Sequence, residues 1–218
     1  MHKDDSRMIE LRTFTYIDIL QPQVAAFQAT ISQGYLPIEG QASLFIEIGP
    51  GIEINRLTDV ILKRTRVKPG MQIVERQFGI LEVHDFDQAE VRSAGDVVLN
   101  ELGMQITDRI KPQIMTNQMI TGIDPHHSML INRMRHGDMI KAGETLFVLE
   151  TYPAGYALLA ANEAEKAAPL KILEIRAFGA FGRLHLAGGE DEIKEAVKAM
   201  NYTLEKMEGR LDTSASDA

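Results

Sequence analysis

The chain has 218 residues, 23 of them basic and 31 acidic, which gives a formal net charge of −8 at pH 7. This balance argues against a nucleic-acid backbone as the main partner, because phosphate neutralisation needs clustered Lys and Arg. The chain contains no cysteine, which excludes disulfides, thiolate metal sites and cysteine nucleophiles. Hydrophobic residues make up 44% and charged residues 25%, which is typical of a globular protein.

No apolar stretch approaches the roughly 18 residues that a membrane span needs. The first seven residues, MHKDDSR, do not resemble a signal peptide. We therefore expect a soluble protein of the cytoplasm, with no membrane partner.

In chain order, the first half is predicted to form a strand, a second and buried strand, a helix, two more strands and a last helix. A turn-rich stretch separates the first two strands. These elements are predicted at 11–19, 44–48, 52–65, 71–75, 80–84 and 91–102. The second half repeats this order, with elements predicted at 114–120, 146–150, 154–168, 171–175, 183–187 and 193–204. Helices on one face of a sheet of about four strands predict an α+β fold in each half.

The two halves share the spacing of their turn residues, which indicates shared turn geometry. A shift of 103 residues superposes Pro22 on Pro125, Gly34 on Gly137, Gly40 on Gly143, Glu47 on Glu150, Pro50 on Pro153 and Lys63 on Lys166. Beyond Lys63 the best shift is 100, which superposes Arg76, Phe78 and Gly79 on Arg176, Phe178 and Gly179. A short deletion near Arg66–Gly70 would explain the change. We predict homologous domains at 9–108 and 110–208, and a mobile tail at 209–218.

Asp124, His126, His127 and Ser128 are close enough in sequence to suggest a hydrolase or metal site. However, a catalytic triad is assembled in space, no nucleophile-elbow motif is present, and the two histidines lack helical i, i+4 spacing. A polar turn after Pro125 is the favoured interpretation. His84 and His185 are predicted to be exposed on their sheets.

The segment from Val74 to Gly79 is the candidate functional site, because adjacent Glu75 and Arg76 lie where a strand enters a glycine-containing turn. Solvated strand ends are the plainer interpretation of these two charges. The repeat adds little support for a functional role, since no acidic residue stands at the matching place in the second half.

Several segments together resemble one family. They are LQPQ (20–23), IVERQFG (73–79), LINR (130–133), PAGY (153–156), ANEAEKAA (161–168) and FGRL (181–184). The sequence resembles, over about 9–208, the tandem-domain, trimer-forming shell proteins of carboxysomes, a branch of the bacterial microcompartment shell proteins. The resemblance implies that each half is a circularly permuted microcompartment domain, with a ferredoxin-like sheet and helices on one face. Three chains would then form a pseudohexameric tile.

The resemblance also implies that one hairpin loop of each domain lines a wide, gated central pore. In the first domain these residues are Glu75, Arg76, Gln77, Phe78 and Gly79, and in the second they are Arg176, Ala177, Phe178 and Gly179. The Glu75–Arg76 pair would swing between open and closed arrangements. The expected cargo is anionic, namely bicarbonate, ribulose bisphosphate and phosphoglycerate, and two trimers would stack around a chamber.

Lys63 and Lys166 have two interpretations. A cation near a helix C-terminus is favourable with the helix dipole. The resemblance implies instead that both lysines lie on the tile edge and contact neighbouring shell proteins.

The sequence thus predicts a structural shell component in the carboxysome, without catalytic residues, metal or cofactor. One alternative is a trimeric regulatory protein that binds a small molecule between its chains. A second alternative is an enzyme that uses Asp124, His126 and His127.

Overall fold

The computed structural model describes residues 9–212. In the first half the elements are β1 (Glu10–Ile17), α1 (Pro22–Ile31), β2 (Ala42–Gly49), α2 (Ile54–Arg64), β3 (Lys68–Glu75), β4 (Phe78–Asp85) and α3 (Gln88–Leu102). In the second half they are β5 (Gln113–Ile120), α4 (Pro125–Met134), β6 (Thr145–Tyr152), α5 (Tyr156–Ala167), β7 (Lys171–Arg176), β8 (Gly182–Gly188) and α6 (Glu190–Lys206). Single 3₁₀ turns at Gly51–Glu53 and Ile106–Asp108 complete the order.

Each half builds one antiparallel four-stranded sheet, in the order β1-β2-β4-β3 and β5-β6-β8-β7. Alternation along β2 places Leu44, Ile46 and Ile48 in a core with α2 and α3. Phe45, between them, belongs instead to a core that the first sheet shares with the second domain. The predicted α+β architecture with two tandem domains is confirmed.

Two helices lie where the sequence predicted only turns. Pro22 and Pro125 begin α1 and α4, each ten residues long. Proline is well tolerated at the first helical position, because the N–H it lacks would have no partner within the helix. The helices were missed because their opening proline was interpreted as a turn residue.

The predicted change of shift from 103 to 100 is wrong. Lys68 pairs with His84 as Lys171 pairs with Ala187, and Ile48 pairs with Gly79 as Thr151 pairs with Gly182. A shift of 103 therefore holds through both sheets, with no deletion near Arg66–Gly70. Gly79 corresponds to Gly182, and Arg76 corresponds to Gly179. The Arg, Phe and Gly matches at a shift of 100 are chance identities within two unlike hairpin loops.

Residues 209–212 of the predicted tail are bonded to the rest of the chain. The backbone of Arg210 bonds to Arg109 and Lys111, and its side chain pairs with Glu10. The Tyr152 hydroxyl donates to the Asp212 carboxylate over 2.7 Å. Residues 213–218 of that predicted tail lie outside the described residues.

Helix α5 of the second domain packs directly against the first domain, beside α1 and β1. Asn162 accepts a hydrogen bond from the Gln21 backbone N–H over 2.9 Å. Phe45 and Ile80 of the first sheet share one core with Tyr156 and Ala160 of α5. Within residues 9–212, no helix combines the length and apolar character needed to cross a bilayer.

Candidate functional site

Glu75 and Arg76 lie at a tight hairpin turn between β3 and β4. Glu75 pairs with Phe78, which leaves Arg76 and Gln77 as the two turn residues. Arg76 has φ of 53°, and it is the only residue other than glycine with positive φ among those described. Position 179 in the second domain, which corresponds to Arg76, is a glycine with φ of 100°. A residue with a long side chain thus occupies a backbone conformation that favours glycine.

The base of this turn is fixed. The Gly51 backbone N–H donates to the Gln77 carbonyl over 2.7 Å. The guanidinium carbon of Arg12 lies 3.7 Å from the centroid of the Phe78 ring, which is a cation–π contact. Gly79 is buried beneath the turn, so the backbone on that side is enclosed by protein.

The tip of the turn carries free charge. Arg76 is exposed and Glu75 is half-buried. Neither side chain forms a hydrogen bond or ion pair with any residue in the described part of the chain. An open cleft of about 740 Å³ lies beside the turn, lined by residues that include Glu10, Gly51, Ile52 and Arg76. The two charges are therefore available to a group outside this chain.

The loop between β7 and β8, at 177–181, differs from the first hairpin. Ala177 is buried, Phe178 is half-buried and Gly179 supplies the positive φ. Arg176, predicted as the counterpart of Arg76, is instead the last residue of β7 and pairs with Arg183 across the ladder. The structure separates Arg176 from the loop tip, and its guanidinium lies 5.4 Å from the centroid of the Phe178 ring.

A buried ion pair that the sequence analysis missed lies below the first hairpin. Glu47 accepts hydrogen bonds from Arg12 Nε and Thr13 Oγ1, each over 3.0 Å. It also accepts from the backbone N–H of Gly155, in the second domain, over 3.2 Å. Burial raises the pKa of the Glu47 carboxyl, and the Arg12 guanidinium opposes that rise. The matching of Glu47 with Glu150 was the only sequence signal for this position.

The prediction that His84 is exposed on the sheet is wrong. His84 and Glu82 are fully buried, with Nδ1 of His84 3.1 Å from a Glu82 carboxylate oxygen. Ser43 donates to Glu82 over 2.6 Å. His185 corresponds to Glu82 rather than to His84, and it is half-buried. Burial lowers the pKa of His185, which favours the neutral ring.

Asp124, His126 and His127 form the start of α4. The Asp124 carboxylate accepts hydrogen bonds from the backbone N–H groups of His126 and His127, over 2.7 and 3.3 Å. This is a helix N-cap, a structural role that satisfies donors at the helix start. Within residues 9–212, no group of three or more His, Asp and Glu side chains is arranged to hold a metal ion.

Comparison with known proteins decides the family. Residues 11–108 match the family model of the CsoS1D N-terminal domain. The carboxysome shell protein CcmP of Synechococcus elongatus is 52% identical over 202 residues, which cover 93% of this chain and 95% of that protein.

The chain belongs to the carboxysome shell proteins.

Two solved structures share the whole fold with this shell protein. The fused permuted hexameric shell protein of the RMM microcompartment is 44% identical with a TM-score of 0.88, and the match covers 90% of this chain and 96% of that one. The double-ringed trimeric shell protein of the same microcompartment is 37% identical with a TM-score of 0.90, covering 94% and 100%. Because the relatives are structural shell proteins, this shell protein is not an enzyme. The alternative of an enzyme built on Asp124, His126 and His127 is wrong.

Lys63 and Lys166 of the shell protein occupy equivalent places near the C-terminal ends of α2 and α5. Lys63 pairs with Asp59 one turn earlier over 2.6 Å, and both side chains are exposed. Lys166 is also exposed. Both lysines are accessible from outside the chain, which suits either a helix-dipole role or an edge contact.

Proposed function

We propose that three copies of this shell protein form a pseudohexameric ring whose central pore is gated by Glu75 and Arg76. Two homologous domains in one chain allow three chains to supply six similar positions around an axis. The two solved relatives, one a hexameric and one a double-ringed trimeric shell protein, support this arrangement. The first-domain hairpin then contributes three Glu75 and three Arg76 side chains to the pore rim.

The observation that carries the gate is the pair of unsatisfied charges on an anchored turn. The backbone bond from Gly51 to Gln77 holds the base of the turn. Glu75 and Arg76 have no partner within residues 9–212, so they are free to pair across copies. An ion pair near solvent stabilises by about 0–1 kcal/mol, which lets closed and open arrangements lie near in free energy. A ligand that binds one arrangement better shifts the population towards it.

The open arrangement exposes a ring of guanidinium groups, which favours anions. The net charge of −8 does not oppose this, because charge at the constriction dominates the local field. The proposed cargo is therefore anionic and includes bicarbonate, ribulose bisphosphate and phosphoglycerate. In the second domain we propose that Ala177, Phe178 and Gly179 contribute the other half of the rim, with Arg176 behind it.

We place Lys63 and Lys166 at the tile edge, where they contact neighbouring shell proteins. The edge role is supported by their equivalent positions at a shift of 103 and by their exposure. We also propose that two rings stack face to face and enclose a chamber. The double-ringed relative supports this stacking.

The decisive experiment images the purified ring by electron microscopy. The mass of the wild-type particle is expected to be about three times the 24.3 kDa mass of the chain, or about six times that mass when rings stack. A Glu75→Gln/Arg76→Asn variant removes both charges, and asparagine suits the positive φ at position 76. We expect intact rings with the pore permanently open.

Gln77→Ala is the matched control, since it alters the same turn without changing charge, and it should keep the wild-type distribution of pores. A sealed centre in the Glu75→Gln/Arg76→Asn variant would overturn the gate. A wild-type protein that stays monomeric would overturn the ring.

A further inference from the structure

Within one chain, the two domains contact each other through α5. In that contact the start of α5 lies on the first sheet, where the Gly155 N–H donates to Glu47. In its last turn, α5 presents Glu165, whose carboxylate accepts from the backbone N–H groups of Gln23 and Val24 at the start of α1. Helix α1 has no side-chain cap of its own at its N-terminus.

The corresponding surface of the second domain is left more exposed by the described residues, 9–212. It consists of the second-sheet positions Thr116, Val148 and Glu150 and the outer side of α4. Leu130 on α4 is 45% exposed, whereas Phe27, its counterpart on α1, is 5% exposed in the core that the two domains share. The counterpart of α5 is α2, and Ile52, just before α2, is 65% exposed.

We propose that this open surface, made of Thr116, Val148, Glu150 and α4, receives the N-terminal end of α2 from the next copy of the chain. Glu150 then accepts the backbone N–H of Ile52, as Glu47 accepts that of Gly155. The inference rests on the ring proposed above and assigns the residues that close it. Head-to-tail contacts of this kind join two different surfaces and produce a closed ring when the rotation permits.

Side-chain size is exchanged between the two contacts. A Cβ added to Gly155 would lie 2.6 Å from Cε1 of Phe45, so a large residue on the sheet faces a residue with no side chain. In the second contact, valine replaces the phenylalanine at position 148, and isoleucine replaces the glycine at position 52. The smaller side chain of Val148 on the sheet is compensated by the larger side chain of Ile52 at the helix start, as close packing requires.

The two contacts also differ in which residue supplies the carboxylate that caps a helix. Glu165 caps α1 from the neighbouring domain, and α2 has Leu62 at the corresponding position. Leu62 cannot accept a hydrogen bond, and α4 is capped by its own Asp124 instead. In each contact, therefore, one carboxylate caps the start of a helix: Glu165 caps α1, and Asp124 caps α4.

The acceptor at Glu150 is already prepared. Thr116 Oγ1 donates to Glu150 over 3.0 Å, which repeats the bond from Thr13 to Glu47. Arg183 donates to Glu150 over 2.8 Å and takes the place of Arg12 as the charged partner. These bonds orient the carboxylate and leave lone pairs for one more donor.

A size-exchange pair tests the assignment. Val148→Phe creates a clash with Ile52 of the next copy, and we expect the ring to dissociate at least tenfold more readily in sedimentation experiments. Adding Ile52→Gly reproduces the pair found inside the chain and should restore the ring. Circular dichroism checks that Val148→Phe is folded. A folded Val148→Phe protein whose ring dissociates like the wild type would overturn the assignment.

Crosslinking tests the same contact by a second route, since the chain has no cysteine of its own. A Cβ at Gly155 would lie 2.8 Å from Thr13 Cγ2, so cysteines replacing Ile52 and Thr116 are expected to join copies covalently on oxidation. Ile52→Cys with Tyr202→Cys is the control and should stay uncrosslinked. Rings that form without the Ile52–Thr116 crosslink would overturn the interface and leave the proposed ring standing. Wild-type protein without rings would overturn both.

Discussion

Gly79 and Gly182 occupy the same place in the two domains, each closely opposed to a backbone carbonyl oxygen. A Cβ on Gly79 would lie 2.2 Å from the Gly51 oxygen, and one on Gly182 would lie 2.1 Å from the Ala154 oxygen. Both carbonyls belong to the segment that enters the next helix. The close approach therefore fixes each hairpin against the start of α2 or α5.

Replacing either glycine by alanine is expected to destabilise the protein by about 1–3 kcal/mol, because backbone atoms cannot move aside as a flexible side chain can. Urea unfolding measures the loss for Gly79→Ala and Gly182→Ala. Gly188→Ala is the control, since an added Cβ there meets its nearest atom at 3.7 Å, an ordinary contact. A loss no greater than that of the control would contradict the packing described here.

Replacing Glu47 by alanine is expected to cost about 3–5 kcal/mol of unfolding free energy, because Arg12 loses its buried partner and keeps only the partly exposed Glu10 carboxylate as an ionic partner. Arg12 is 3% exposed. Denaturant titration measures the effect, with Glu39→Ala, an exposed position, as a control that changes stability by less than about 0.5 kcal/mol. A Glu47→Ala loss under about 1 kcal/mol would show that the pair does not secure the domain contact.

Replacing Arg76 by glycine is expected to stabilise the folded chain by about 0.5–1 kcal/mol. The gain is the relief of positive φ at a residue with a Cβ, less the greater freedom of glycine in the unfolded chain. Thermal unfolding measures the change. Gln77→Gly, at the neighbouring turn position, should lower stability, and equal shifts for both variants would argue against strain at Arg76.

The Glu150 carboxyl is expected to titrate below the usual value of about 4.3 for glutamate. The hydrogen bond from Arg183 is the largest cause of its lowered pKa. A pKa that is lower in the folded state adds stability above the unfolded value, and that stability is lost as the pH falls through the folded pKa. Carboxyl ¹³C NMR measures the midpoint.

Arg183→Ala should raise the Glu150 midpoint. Arg176→Ala removes the neighbouring arginine that does not bond to Glu150, and it should leave the midpoint nearly unchanged. If the Glu150 midpoint does not change in the Arg183→Ala variant, the hydrogen bond between Arg183 and Glu150 is absent in solution.

Lys166→Glu is expected to leave the mass of the ring unchanged and to prevent its assembly into sheets. The reversed charge would act at the proposed tile edge without touching the contact between domains. Negative-stain electron microscopy detects the sheets, and sedimentation measures the ring. Lys198→Glu, on the exposed side of α6, is the matched control. If the Lys166→Glu protein still forms extended sheets, Lys166 does not contribute to the contact at the tile edge.

The duplication and most of the strands could be predicted from the sequence, because they depend on local patterns. Apolar runs such as 44–48 bounded by Gly or Pro indicate buried strands, and the proline and glycine spacing reveals the repeat. The six segments that resemble shell proteins also indicate the family. Helices α1 and α4 were missed because an opening proline is compatible with both a turn and a helix start.

Only the tertiary structure decided which residues of the two halves correspond beyond Lys63. Strand register depends on pairing across the sheet, and the two ladders show that Gly179, rather than Arg176, corresponds to Arg76. The burial of Glu47 also depends on what covers the sheet, and that cover includes the start of α5, more than 100 residues away along the chain. Local sequence determines which elements form, while long-range packing determines which charges they enclose and which they leave free for another copy.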